Sequence, residues 1–175
     1  SMAEALYRKE ELHGRLRDAI HGQALTLHFQ PQFDLATGAM IGAEALCRWH
    51  DAELGWISPG EFIPLAEERG LVHELSDWVL GEGCRQLQAW KAQGFTPPAT
   101  LSINISAEQF DHEDLADRLK ALCHPVKPEE LTLELTESAF MGDPDLAMTL
   151  SRRLRDAGFH LAIDDFGTGY SSLAY

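Results

Sequence analysis

This chain lacks three things that would have narrowed its reading early. It has no apolar run near the roughly 20 residues a membrane span needs, so the segment is not expected to touch a membrane. It has no visible signal peptide. It is poor in basic charge: 14 Lys and Arg against 28 Asp and Glu give a net charge of -14. A surface that acidic disfavours bulk nucleic acid and anionic lipid, which need dense Lys and Arg. A small phosphate ligand is still admissible if cations bridge the two charges. Cysteine is scarce as well. Cys47, Cys84 and Cys123 are odd in number, far apart and outside any metal-ligand spacing, so they read as small buried thiols of a reducing cytoplasm. The eight histidines form no HxxxH or similar pattern, and there is no internal repeat or low-complexity segment.

What is present suits one globular domain. The length, 175 residues, allows a real core, and 45% hydrophobic with 24% charged residues is ordinary for a globular chain. Ser1-Met2 is read as a tag remnant. Residues 4–21 carry Leu6, Leu12, Leu16, Ala19 and Ile20 among charges, which predicts an amphipathic helix stopped by Gly22. Residues 1–22 are therefore expected to be a linker helix, and residues 23–175 the domain proper. Strands are predicted at Leu25 to Phe33, Ala39 to Trp49, Leu101 to Ile105, Leu131 to Leu135 and His160 to Ile163. Helices are predicted from Ser58-Pro59 to Glu68, from Asp77 to Gln93, from His112 to Cys123, and from Asp143-Pro144 to near Gly158. Trp78 and Trp90 read as core or interface residues rather than a base-stacking pair.

From the second strand on, strands and helices alternate, which predicts parallel pairing with helices outside. The alternation within each strand then acquires a chemical meaning. Leu101, Ile103 and Ile105 share one face, and Ser102, Asn104 and Ser106 the other. Leu131, Leu133 and Leu135 likewise oppose Thr132, Glu134 and Thr136. Such a polar face must point into a barrel or an open-sheet crevice. Glu44, Asn104, Glu134 and Asp164 would converge near the carboxyl ends of four strands, where barrel enzymes place their chemistry. Carboxylates that share a small space repel and call for a counter-charge. Oxygen ligands of this kind suit Mg²⁺ or Mn²⁺ rather than zinc. Asp165, next to Asp164, could reach a second ion, as in two-metal phosphoester hydrolysis. Arg48, four residues past Glu44 on the same face, could fork onto a phosphate. Taken singly, each of these residues has an ordinary role as a strand-end charge, a turn amide or a surface ion pair.

Six segments occur in an informative order: Phe29-Gln30-Pro31; Glu44-Ala45-Leu46-Cys47-Arg48-Trp49; Ile57-Ser58-Pro59 with Phe62-Ile63-Pro64-Leu65-Ala66-Glu67; Ser102-Ile103-Asn104-Ile105-Ser106; Glu134-Leu135-Thr136-Glu137-Ser138; and Asp164-Asp165-Phe166-Gly167-Thr168-Gly169. In that order they resemble the EAL-domain family of cyclic di-GMP phosphodiesterases, over about residues 12 to 175.

The resemblance implies an α/β fold, a TIM-like (β/α)8 barrel with an antiparallel first strand. It implies metal-dependent hydrolysis of cyclic di-GMP to linear pGpG, with Mg²⁺ or Mn²⁺ as cofactor and Ca²⁺ inhibitory. Glu44, Asn104, Glu134 and Asp164 would hold one ion, and Asp164 with Asp165 the second. Glu137 would steady the loop after Asp165. Gln30, Leu46 and Arg48 would contact substrate, and the segment from Pro59 to Glu67 would border a guanine. Family members sit behind sensory or GGDEF domains, and a homodimer is compatible with the resemblance. A cytoplasmic site is expected for this segment, whether or not the whole protein is anchored to a membrane.

A barrel of this kind needs roughly 250 residues. With only five strands predicted, the sequence is expected to stop mid-barrel, before the family's later Lys, its general-base Glu and its later Gln. The 175-residue stretch by itself is accordingly expected to be inactive. The competing expectation is a regulatory module that binds cyclic di-GMP without cleaving it.

Overall fold

Ser1 opens the first helix, α1 (Met2–His21), with a reciprocal cap: its hydroxyl accepts from the Glu4 N–H while the Glu4 carboxylate accepts from the Ser1 amino group. The structure, a computed structural model, describes residues 1–164. A two-stranded antiparallel ribbon follows, β1 (Leu25–Phe33) with β2 (Met40–Asp51), joined through the predicted turn at Asp34 to Gly38. Asp34 Oδ1 accepts from the N–H groups of Ala36 and Thr37, and Gly38 takes φ +70°, which favours glycine. The chain continues through β3 (Gly55–Ile57), α2 (Pro59–Glu68), α3 (Val72–Ala92), β4 (Thr100–Ile105), α4 (Leu115–Cys123), β5 (Leu131–Thr136), α5 (Pro144–Asp156) and β6 (His160–Asp164).

The sheet order is β1-β2-β4-β5-β6, with β3 hydrogen-bonded to β2. Among the described residues, the β1–β2 and β2–β3 pairs are antiparallel, and β2–β4, β4–β5 and β5–β6 are parallel. This is the antiparallel opening followed by parallel βα units that the barrel reading predicts. Three boundaries differ from the predicted ones. The strand β3 was not predicted, because three residues are too few to show alternation. The helix α3 starts at Val72, five positions before the expected Asp77, and its N-cap Leu71 makes no side-chain capping bond. No polar start signal therefore marked it. The helix α4 starts at Leu115, after a 3-10 turn at Gln109–Asp111.

The core lies between the sheet's outer face and the helices. Leu101, Ile103, Ile105, Leu131, Leu133 and Leu135 are all buried on that face, each worth about 1.5–3 kcal/mol of apolar burial. The backbone of α3 approaches β4 closely at Gly83, where a Cβ would meet Leu101 Cδ2 at 3.1 Å. Trp78 and Trp90 pack against this core, as expected. Cys84 and Cys123 are buried and Cys47 is half-buried; burial pushes the Cys47 and Cys84 thiols up to about 12.

Leu12, Leu16, Ala19 and Ile20 of α1 belong to the same core cluster. Ion pairs also join α1 to α2 and its C-cap: Arg8 to Glu61 at 2.7 Å, Lys9 to Glu68 at 2.9 Å and Glu10 to Arg69 at 2.5 Å. These pairs are largely in water and contribute little, so the apolar stripe dominates the docking of α1.

Asp51 is the more consequential charge. Its Oδ1 accepts from the Glu53 N–H at 2.9 Å, the Leu54 N–H at 3.0 Å and Arg15 Nη1 at 3.0 Å, tying the β2–β3 turn to α1. The Leu54 and Glu53 amides and the Arg15 guanidinium hold its carboxyl below the usual carboxylate range. A lowered folded-state value stabilises the fold above the ordinary value near 4, and this contribution is lost as pH falls below it. Asp51→Asn should cost on the order of 1 kcal/mol at pH 7 in urea unfolding, and this loss should shrink towards pH 3. An equal loss at both pH values would refute the role of charge.

Candidate active site at the carboxyl ends of the strands

The strand registers bring the polar positions to one face. Glu44 pairs with Ser102 across β2–β4, and Asn104, two residues further along β4, pairs with Glu134 on β5. With a side-chain period of two, Glu44, Asn104 and Glu134 therefore share the face opposite the core. The contact is direct between the first two, since Asn104 Nδ2 donates to Glu44 Oε1 at 3.3 Å. Gln30 lies on the same face, paired with Glu44 across β1–β2. The backbone of Asp164 closes β6 opposite Thr136, two residues beyond Glu134. Asp165 lies outside the described residues.

Beside this row opens a cavity of about 300 Å³. Leu46, Arg48, Pro59, Glu67 and Asn104 line it, so four of the expected substrate residues and one expected ligand are brought together. Gln30 and Glu44 are not on its lining. The local sequence explains the placement. Ser58 caps α2 by accepting from the Gly60 N–H, with Pro59 at the first helical position. Phe62, Leu65 and Ala66 of α2 face the core, which turns Pro59, Ile63 and Glu67 to the cavity. The opposite wall is Val72, Leu75, Ser76 and Val79 of α3. These were missed in the sequence because α3 was expected to begin only at Asp77; Val72, Leu75 and Val79 at helical spacing were the available signal.

Electrostatics separate the groups. Arg48 Nη1 donates to the Cys47 carbonyl at 3.0 Å, and no carboxylate pairs with Arg48 among the described residues. The Glu67 carboxyl is held above its usual range by loss of surrounding water, and then by the nearby Glu108 carboxylate. Glu137 begins a 3-10 turn directly after β5, and its Oε1 is buried without a hydrogen-bond partner among the described residues.

Among the described residues, no three His, Cys, Asp or Glu side chains cluster as a metal centre. The expected set is of another composition, two carboxylates and an amide on adjacent strands, to be completed by Asp164 and Asp165. Its all-oxygen chemistry fits a hard divalent ion. The bond from the Asn104 amide to Glu44 also shows this carboxylate attracting an electropositive donor within the row.

Comparison with known proteins gives one consistent answer. The EAL domain profile matches residues 13–175. The bifunctional diguanylate cyclase/cyclic di-GMP phosphodiesterase MucR of Pseudomonas aeruginosa is 44% identical over 162 residues, 91% of this chain and 24% of MucR. The probable cyclic di-GMP phosphodiesterase PdeB of Escherichia coli is 38% identical over 172 residues, 97% of this chain and 33% of PdeB. The structure of the MucR phosphodiesterase in complex with c-di-GMP superposes with a TM-score of 0.84 at 42% identity, over 93% of this chain and 66% of that one. This chain spans about a quarter to a third of the length of those two curated relatives. Motif order, strand register and these likenesses agree, and the chain belongs to the EAL domain family.

Proposed function

We propose that the whole protein hydrolyses one phosphodiester of cyclic di-GMP to linear pGpG in a reaction that depends on Mg²⁺ or Mn²⁺. The observation that carries this reading is the shared face of Glu44, Asn104 and Glu134 beside a cavity lined by Arg48, which has no carboxylate partner among the described residues. Relatives named as cyclic di-GMP phosphodiesterases support it.

In this reading Glu44, Asn104, Glu134 and Asp164 would hold one ion, and Asp164 with Asp165 would serve a second. Bound ions of this kind lower the pKa of water and offset phosphate charge. The protein's own residues do the rest. Arg48 offers two N–H groups to the non-bridging phosphate oxygens, a geometry Lys cannot match. Leu46 and Pro59 supply an apolar wall, Gln30 a polar contact, and Glu67 an acceptor for the N–H groups of guanine. Glu137, whose buried Oε1 has no partner among the described residues, is proposed to steady the loop after Asp165. Water adds to phosphorus as the ester P–O bond breaks, leaving a 5′-phosphate and a 3′-hydroxyl on an opened dinucleotide. Ca²⁺ would compete for the same oxygens and is expected to inhibit.

We also propose that residues 1–22, which contain α1, connect an upstream sensory or GGDEF domain to the catalytic domain, on whose core the second half of α1 is docked. No helix among the described residues is long and apolar enough to cross a membrane. The cytoplasm is the compartment in which this nucleotide reaction is proposed to run.

The test is Mn²⁺-dependent conversion of cyclic di-GMP to pGpG by the whole protein, followed by chromatography, with turnover lost on chelation. Binding without turnover would make the protein a sensor. Absence of both would overturn the reading.

A further inference from the structure

Trp56 is a large aromatic residue on the site face that the roles above leave unused. It pairs with His50 across β2–β3. His50 alternates along β2 with Glu44, Leu46 and Arg48, so Trp56 shares their face. The indole makes T-shaped contacts with the His50 ring, centroids 4.9 Å apart at 78°, and with the His28 ring on β1, 6.2 Å away at 69°. His28 in turn pairs with Leu46 across β1–β2. Two imidazoles from two strands thus hold the ring across β2 on the site face, while Trp56 remains 63% exposed. Pro59, three residues on, already lines the cavity that holds Arg48.

A Trp that served only to pin the short β2–β3 hairpin would be expected to bury its ring faces. Here two T-shaped ring contacts fix the indole and still leave the residue mostly exposed, on the strand face that also carries Arg48, which has no carboxylate partner among the described residues. A rigid, flat, apolar surface next to a phosphate-binding cation suits a purine attached to that phosphate. We propose that Trp56 is a stacking platform for one guanine of the cyclic dinucleotide, at the mouth of the cavity formed by Leu46, Arg48 and Pro59. This rests on the proposed substrate. His28 and His50 act as positioning residues for the indole.

The test measures cyclic di-GMP affinity of the whole protein by calorimetry, with Ca²⁺ replacing the activating ion to suppress turnover. Trp56→Ala and Trp56→Leu should each weaken binding about 5- to 100-fold, and Trp56→Phe should restore most of it, with thermal midpoints close to wild type. The Leu variant keeps apolar bulk without a flat face, so it separates stacking from hairpin packing. If wild type binds and the Leu variant binds equally well, the platform is refuted. If wild type itself does not bind, the proposed substrate fails instead.

Discussion

Glu44→Gln in the whole protein should reduce cyclic di-GMP hydrolysis by more than about a hundredfold. The magnitude follows from a comparison of positions. Losing a residue that merely orients a metal ligand typically costs about 10- to 100-fold, and Glu44 is proposed as a ligand itself. Gln keeps the shape and one acceptor oxygen but removes the charge that offsets a divalent ion. The fold should tolerate the change, because Glu44 is half-buried on the polar face, away from the Leu and Ile rows of the core. Relief of repulsion among neighbouring carboxylates works in the same direction. Thermal unfolding of the ion-free variant should therefore stay close to wild type, while calorimetric Mn²⁺ binding weakens in parallel with activity. A loss of activity below tenfold, with Mn²⁺ affinity intact, would remove Glu44 from the ligand set.

The row containing Glu44 was legible in the sequence for a definite physical reason. Parallel strands covered by helices must bury one face completely, so Leu101, Ile103 and Ile105 against Ser102 and Asn104 fixes which side is core. Register then follows, since a slip of one residue would turn Glu134 into the helices. The cavity was half legible. Leu46, Arg48, Pro59 and Glu67 are the residues that the resemblance places near the substrate together with Gln30, and the structure lines one cavity with these four. Its other wall was hidden because α3 begins at Leu71-Val72 without a polar cap. The β2–β3 hairpin was hidden by its brevity, and with it the pairing of Trp56 to His50. Tertiary contacts such as Asn104 to Glu44, 60 positions apart in sequence, have no local signature at all.

The second large effect is on stability, at Phe62. Phe62 and Trp49 are both 0% exposed and meet edge to face, with centroids 5.8 Å apart at 87°. Trp49 follows Arg48 on β2 but points to the opposite face, so this contact fastens α2 to the strand that carries Arg48, the proposed phosphate contact. Phe62→Ala should lower unfolding free energy by about 3–5 kcal/mol, the usual cost of removing a buried aromatic ring from a close-packed site. Against a typical total of about 5–15 kcal/mol, that is a large fraction. Trp49→Phe should cost far less. It removes some apolar area, but it also removes Nε1, a buried donor with no partner among the described residues. Relief of such an unpaired group is worth about 1–3 kcal/mol and offsets much of the lost packing. Urea unfolding midpoints of the two variants would decide the matter; a loss under about 1 kcal/mol for Phe62→Ala would contradict the packing account. The same substitution should weaken cyclic di-GMP binding even where the variant is folded. Pro59, Ile63 and Glu67 hold their places at the cavity only because Phe62, Leu65 and Ala66 anchor the other side of the same ten-residue helix.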